Sequence, residues 1–178
     1  MDMWSGDDRR IRRLIEMAIQ AEIAGQGPEA ARLRQLAASE GPQHPLILNE
    51  KAPGLLLAGD APGAHGLLAR AVQAAPGEPT LWLNFAAALR GMERREEELA
   101  ALDRLLALEP RHLRGLLQKA SLLALRGDAR AAAALYRTAL QTVPPGAELP
   151  PSLRAMLKQA SRAVAANNVA LEAFVERG

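Results

Sequence analysis

The sequence contains no cysteine, and aromatic residues make up only 3% of it. Without cysteine, the chain cannot form a disulfide framework, a thiolate zinc site or a cysteine nucleophile. Charge of one sign is not in excess either, because 22 basic residues are balanced by 20 acidic ones. This balance is unlike the basic surface of a nucleic-acid-binding protein, so we expect no nucleic-acid partner.

Long apolar runs are also missing from the sequence. No stretch approaches the roughly 20 apolar residues that span a membrane, and the first ten residues lack the apolar centre of a signal peptide. We therefore expect a cytoplasmic protein with no membrane partner. Alanine and leucine, by contrast, occur 37 and 30 times. Both residues favour helices, so the composition predicts an all-α fold.

Proline reveals an internal repeat, because four prolines are evenly spaced along the chain: Pro42, Pro76, Pro110 and Pro144. The interval between them is 34 residues, and a repeat of this length is typical of stacked helical hairpins. The prolines define the windows 11–44, 45–78, 79–112 and 113–146. Two further columns keep the same phase, namely Ala18, Ala52, Ala86 and Ala120, and Leu14, Leu48, Trp82 and Leu116. Each window also holds two apolar stretches of helical period around a polar or Gly-containing break, which predicts four hairpins with the alanines at the helix crossings.

The third window resembles the tetratricopeptide repeat (TPR) most closely. The residues that match the spacings of that family are Trp82, Phe85, Ala86, Leu89, Leu102 and Pro110. The resemblance implies a right-handed α-solenoid of four TPR helical hairpins within residues 1–149. After a Pro-rich break, residues 150–178 have the pattern of one long amphipathic helix, which we expect to cap the last hairpin.

Local chemistry predicts where the second helices of the hairpins begin. Pro28 and Pro62 suit a first helical turn, and Asp60 and Asp128 can accept hydrogen bonds from its exposed amides. Pro53 departs from this order because it falls inside the first helix of the second window. A proline there removes a hydrogen bond and costs about 3 kcal/mol, so we expect an interrupted helix. The interruption is either a tolerated strain or an opening in one wall of a binding surface.

The sequence offers no convincing catalytic or metal site. His44 and His112 recur at the last place of their windows, which indicates a structural role. His65 has no acidic or histidine neighbour at a metal-binding spacing. We therefore predict no catalytic residue, no metal and no cofactor, and a chain that is not itself an enzyme.

Stacked hairpins form a concave groove lined by their first helices, and we assign to it the faces turned away from the packing alanines. The predicted peptide-binding residues are Ile15, Ile19, Asn49, Leu56, Leu83, Asn84, Ala87, Arg90, Leu117, Gln118 and Ser121. TPR domains that grip a terminal carboxylate use Lys, Asn and Arg at such places, whereas this chain has Ile15, Leu83 and Leu117. The lining suits an extended or helical peptide anchored by Leu83 and Leu117, unless those leucines pack between neighbouring helices.

The sequence thus predicts a protein- or peptide-binding scaffold, with two alternatives. The compact windows, the Pro-rich break and the Ala-rich helix after it also resemble the region preceding the catalytic domain of bacterial aspartyl/asparaginyl β-hydroxylase-like proteins. That resemblance implies the non-catalytic arm of a longer enzyme. The other alternative is self-association through the end helix, whose residues Leu171, Phe174 and Val175 are expected to overhang the last hairpin or fold back.

Overall fold

A computed structural model describes residues 6–144 and 146–175, with side chains as far as residue 168. Within these residues the chain forms nine α-helices and no strand, which confirms the predicted all-α class. The helices are α1 (Gly6–Ile23), α2 (Gly27–Glu40), α3 (Pro45–Leu57), α4 (Ala61–Ala74), α5 (Pro79–Gly91), α6 (Arg95–Leu108), α7 (Leu113–Leu125), α8 (Ala129–Thr142) and α9 (Pro151–Val175). None of these helices is both long enough and apolar enough to cross a bilayer.

The helices belong to two compact units, which divide between Glu93 and Arg94. The first unit contains α1 to α5, in which α1 packs on α2 and α3 packs on α4. The second unit contains α6 to α9, in which α7 packs on α8. These three pairs are hairpins with short connections, as the repeat windows predict. The windows starting at residues 45, 79 and 113 coincide with the first residues of α3, α5 and α7.

The alanine column forms the tightest part of the packing. Ala18, Ala52, Ala86 and Ala120 are all 0% exposed, which confirms their predicted place at helix crossings. The small side chain allows close approach of two helices, and the neighbouring large residues fill the space beside it. Leu14, Leu48 and Leu116 are buried in this way, whereas Trp82 is half-buried and donates its indole N–H to the carbonyl of Pro76.

The second helices begin as their sequence predicts. Pro28 and Pro62 lie in the first turns of α2 and α4. The carboxylates of Asp60 and Asp128 accept hydrogen bonds from backbone N–H groups three residues further on, at 2.8 and 3.0 Å. These side chains satisfy amides that have no partner within the helix.

Two histidines perform the same task for first helices. His44 precedes α3, and its Nδ1 accepts a hydrogen bond from the amide of Leu46 at 3.2 Å. His112 precedes α7, and its Nδ1 accepts from the amide of Gly115 at 3.0 Å. The recurrence of histidine at the last place of these two windows therefore has a structural cause, namely helix capping.

The expected interruption at Pro53 is wrong, because α3 continues from Pro45 to Leu57 with Pro53 inside it. Pro53 is exposed, so its ring is not forced into the core. The helix loses only the one hydrogen bond that the missing N–H would have made to the carbonyl of Asn49. Its last turn is intact, since the amide of Ala58 donates to the carbonyl of Gly54 at 3.1 Å.

The long ninth helix is present and covers the last hairpin. Its first half packs on α8 and α7, with Ala160 fully buried beside Tyr136 and Ala139. This confirms the predicted contact between the end helix and the fourth hairpin. The residues expected to overhang, Leu171, Phe174 and Val175, lie outside the described side chains.

Candidate functional site

The first helices of the first unit share an exposed face whose positions recur from one window to the next. Residues at i, i+4, i+7 and i+11 lie along one side of a helix. On α1 they are Arg12, Glu16, Ile19 and Ile23, and on α3 they are Leu46, Glu50, Pro53 and Leu57. We call these eight residues the first-helix face. It exposes large apolar side chains, with Ile19 42%, Ile23 75% and Leu57 91% accessible to solvent.

A small depression of about 150 Å³ opens on the first-helix face where three helices meet. Its lining consists of Arg12, Ile15, Glu16 and Ile19 of α1, Leu46, Asn49 and Glu50 of α3, and Thr80 of α5. Ile15 is only 5% exposed and therefore forms part of an apolar floor. The charged and hydroxyl side chains stand around it. We call this feature the groove depression.

The groove residues predicted from sequence differ in how exposed they are. Ile19 and Arg90 are exposed; Leu56, Leu83, Asn84, Ala87, Gln118 and Ser121 are half-buried. Three predicted residues are buried instead, namely Ile15, Asn49 and Leu117. Leu117 is 0% exposed in a cluster with Ala120 and Tyr136, so its predicted role as a peptide anchor is wrong.

The error has a common cause, which is rotation about the helix axis. Ile15, Asn49 and Leu117 occupy the fifth place of their windows, one residue before the less buried sixth place, which holds Glu16 and Glu50. In α3 this place is turned toward the next first helix, because the side-chain carbonyl of Asn49 accepts a hydrogen bond from Asn84 of α5 at 2.9 Å. The two amides therefore join α3 to α5 and are used within the protein.

The two predicted polar residues of α7 differ in whether they are used within the protein. The hydroxyl of Ser121 lies 2.9 Å from that of Tyr136, which links α7 to α8. The Oε1 atom of Gln118 is buried and has no hydrogen-bond partner within the described chain. The hydroxyl of Ser121 is therefore engaged within the protein, whereas the Gln118 oxygen is buried without a partner.

The sequence-based prediction missed five residues that line the groove depression: Arg12, Glu16, Leu46, Glu50 and Thr80. A signal for them exists in the sequence. Glu16 and Glu50 hold the same place in successive windows, and so do Arg12, Leu46 and Thr80. A helical wheel centred on these two places of the repeat would have selected the first-helix face.

Most charges around the face are paired within the protein. Arg12 of α1 forms an ion pair with Glu78. Arg34 of α2 reaches Glu22 of α1 at 2.5 Å and Glu50 of α3 at 2.6 Å, and these hydrogen bonds raise the pKa of its guanidinium. The arrangement leaves little net charge to attract an ionic ligand.

A second and larger space, of about 590 Å³, separates the first hairpin from α3. Its lining comprises Ile15, Glu22, Arg34, Gln35, Ala38, Ile47, Glu50, Lys51 and Pro53. We call it the α1–α3 cleft. It shares Ile15 and Glu50 with the groove depression, so the two spaces adjoin.

In the part of the chain with described side chains, no three histidine or acidic residues come together in a way that could hold a metal ion. The imidazole of His65 stacks on the ring of Phe85, with centroids 5.2 Å apart. His44 and His112 cap helices, as described above.

No protein-family model matches the chain, and no curated protein matches it in sequence. Solved structures match it in fold. The first TPR domain of the human RPAP3 protein is 20% identical, with 72% of this chain and 98% of that chain covered and a TM-score of 0.58. The fold is that of TPR proteins. MamA from Desulfovibrio magneticus RS-1 also matches in fold. It is 20% identical, with 74% of this chain and 75% of that chain covered and a TM-score of 0.55.

A third match is a complex of the type III secretion chaperone SycD of Yersinia enterocolitica with a peptide of the translocator YopD. It is 14% identical, covers 68% of this chain and 90% of that chain, and has a TM-score of 0.60. A further RPAP3 structure contains an HSP90 peptide. These comparisons give no support to the relation with β-hydroxylase-like proteins that the sequence suggested.

Proposed function

We propose that this protein is a TPR scaffold that binds a polypeptide segment on the first-helix face of its first unit. The observation that carries the proposal is the groove depression, to which α1, α3 and α5 all contribute. Its apolar floor and polar rim are the usual features of a site that binds by burial and orients by hydrogen bonds. Two proteins of the same fold, SycD and RPAP3, have peptides bound in their structures, which supports the proposal.

Apolar contact supplies most of the binding energy in this proposal. Ile19, Ile23 and Leu57 are exposed in the free protein, and a bound segment covers them. Complete burial of one such side chain contributes about 1.5 to 3 kcal/mol. The hydroxyl of Thr80 and the carboxylate of Glu16 on the rim are suited to hydrogen bonds with the peptide backbone.

The proposal does not include a clamp for a terminal carboxylate. The basic side chain in the groove depression is Arg12, which is already paired with Glu78. Recruiting it to a carboxylate would break that ion pair. An internal segment rather than an acidic chain end is therefore the proposed ligand.

A random-peptide library displayed on phage can test the proposal, with the wild-type chain as bait. We expect the selected peptides to bind an Ile19→Ser variant about tenfold or more weakly, because an exposed apolar anchor is lost. Met17→Ser is the matched control, since Met17 lies on the same helix, is 47% exposed and is off the first-helix face. Circular dichroism checks that both variants fold.

Two outcomes would contradict the proposal. Failure of the wild-type chain to enrich any peptide would remove the binding function. Equal loss of affinity in the Ile19→Ser and Met17→Ser variants would show that the peptide does not bind specifically on the first-helix face.

A further inference from the structure

The space between two consecutive hairpins is filled by a side chain toward the end of the later first helix. In α5 this residue is Ala88, which is fully buried and packs with Ala52, Ala64 and Leu68 of the preceding hairpin. Contact between α5 and the α3/α4 hairpin is therefore close along this part of the helix. The side chains of Leu68 and Ala88 together fill the space between α5 and the α3/α4 hairpin.

The equivalent space between the first hairpin and α3 lacks both of these side chains. One window earlier, Gly54 holds the place of Ala88, and Arg34 holds the place of Leu68. A Cβ added at Gly54 would meet no atom within 4 Å outside the neighbouring part of its own helix. Arg34 directs its guanidinium to Glu22 and Glu50. These two departures from the repeat leave the α1–α3 cleft open.

Gly54 is exposed and lies on the same side of α3 as three residues of the cleft lining. Ile47, Glu50 and Lys51, which precede it by seven, four and three residues, all line the space. Residues at these separations share one side of a helix. A larger residue at position 54 would consequently extend between the helices that form the cleft.

The chemistry of the cleft favours an uncharged occupant. Ile15 and Ile47 are buried, Ala38 is half-buried, and together they provide an apolar floor. The carboxylates of Glu22 and Glu50 are both bound to Arg34, and Lys51 supplies the second positive charge, so the lining carries no net charge that would attract an ionic ligand. Ile15 and Glu50 also line the groove depression, so a segment bound there passes the mouth of the cleft.

We propose that the α1–α3 cleft receives one large apolar side chain, of the leucine, isoleucine, methionine or phenylalanine type, from the polypeptide bound on the first-helix face. The inference rests on the proposed function and adds a specificity rule to it. A ligand is selected by an apolar residue that inserts between α1 and α3. The cleft thus acts as a recognition pocket created by the absence of a side chain at Gly54.

The test fills the cleft from either wall and measures binding of peptides selected from the phage library on the wild-type chain. Gly54→Leu fills it from α3, and Ala38→Leu fills it from α2, so that one variant serves if the other does not fold. Gly66→Leu is the control, because Gly66 is exposed on α4 and also has open space around it. Fluorescence polarisation gives the affinities, and circular dichroism verifies the fold.

We expect each selected peptide to contain one apolar residue whose replacement by alanine weakens binding about tenfold. Either filled variant should show a similar loss, and the same alanine replacement should then cost nothing more, because the two changes remove one interaction. Binding to Gly66→Leu should match that of the wild-type chain.

The possible failures are distinguishable. If a folded filled variant binds the peptides normally while Ile19→Ser does not, the cleft proposal is overturned and the proposed function stands. The cleft proposal would also be overturned if the filled variant and the alanine replacement in the peptide each weakened binding and their effects on the binding free energy added up. If the wild-type chain enriches no peptide, both the proposed function and the cleft proposal fall.

Discussion

Individual residues in this protein acquire their roles from their place in the repeat. The alanines of the repeated column are fully buried where helices pack closely, and a larger side chain at these positions would push the helices apart. Residues that depart from a column have local consequences instead: Arg34 in place of a leucine joins three helices through its ion pairs. His44 also takes its role from its place in the repeat, since its titratable imidazole lies just before α3 and caps that helix.

Stability should depend on pH through His44. Burial lowers the pKa of its imidazole, as does Arg12, while Asp8 and Glu78 oppose the shift. A folded-state pKa below the ordinary value of 6.5 means that the unfolded chain binds the proton more readily. The contribution of His44 is therefore fully present above about pH 6.5 and is lost as the pH falls from there through the folded-state pKa.

Urea denaturation across this range can measure the effect, with His44→Asn as the comparison. Asparagine is able to cap α3 and does not titrate. We expect the wild-type chain to lose more stability than the variant between about pH 7 and pH 5. Parallel pH profiles for the two proteins would show that His44 does not contribute.

At the scale of helices, the sequence predicted where the helices lie better than which side of each helix is exposed. Helix starts at Pro45 and Pro79 depend on local chemistry and on the repeat period, both of which are visible in the sequence. The side of a helix that remains exposed depends on how neighbouring helices pack, which is not visible there. A small error in rotation placed Asn49 and Leu117 in the groove, although both are buried.

Replacing Pro53 should stabilise α3. The substitution Pro53→Ala restores an amide that can donate to the carbonyl of Asn49 inside a continuous helix. We expect a gain of about 1 to 3 kcal/mol in the free energy of unfolding, measured with urea.

Pro62→Ala is the control for this prediction, because Pro62 lies in the first turn of α4, where no amide hydrogen bond is required. That substitution should not increase stability. A Pro53→Ala variant no more stable than the wild-type chain would mean that α3 has already adjusted to the missing hydrogen bond.

At the scale of the whole molecule, each compact unit has its own core. The second unit is completed by α9, whose buried Ala160 lies against the last hairpin with Leu153, Met156 and Leu157 around it. Terminal helices of repeat proteins cover an apolar face that no further repeat covers. The stability of α7 and α8 should therefore depend on α9.

Hydrogen exchange can measure this dependence in chains shortened from the C-terminus. A chain ending at Pro150 lacks α9, and we expect its α7 and α8 amides to exchange about tenfold or more faster, because local opening becomes easier. A chain ending at Asn168 keeps 18 of the 25 residues of α9, including Ala160, and should exchange like the full-length protein. Unchanged protection in the shorter chain would show that α9 contributes little to the fourth hairpin.

The hydrogen bond between Asn49 and Asn84 has an evolutionary consequence. At the equivalent places of the junction between α1 and α3 the chain has Ile15 and Glu50, so this pair of amides is particular to the junction of α3 and α5. Replacing one asparagine by leucine leaves the other amide without its partner at a buried junction, whereas replacing both removes the need for a partner. Among descendants of this sequence, positions 49 and 84 should therefore change together, and the pairing of these two amides should be inherited as a unit.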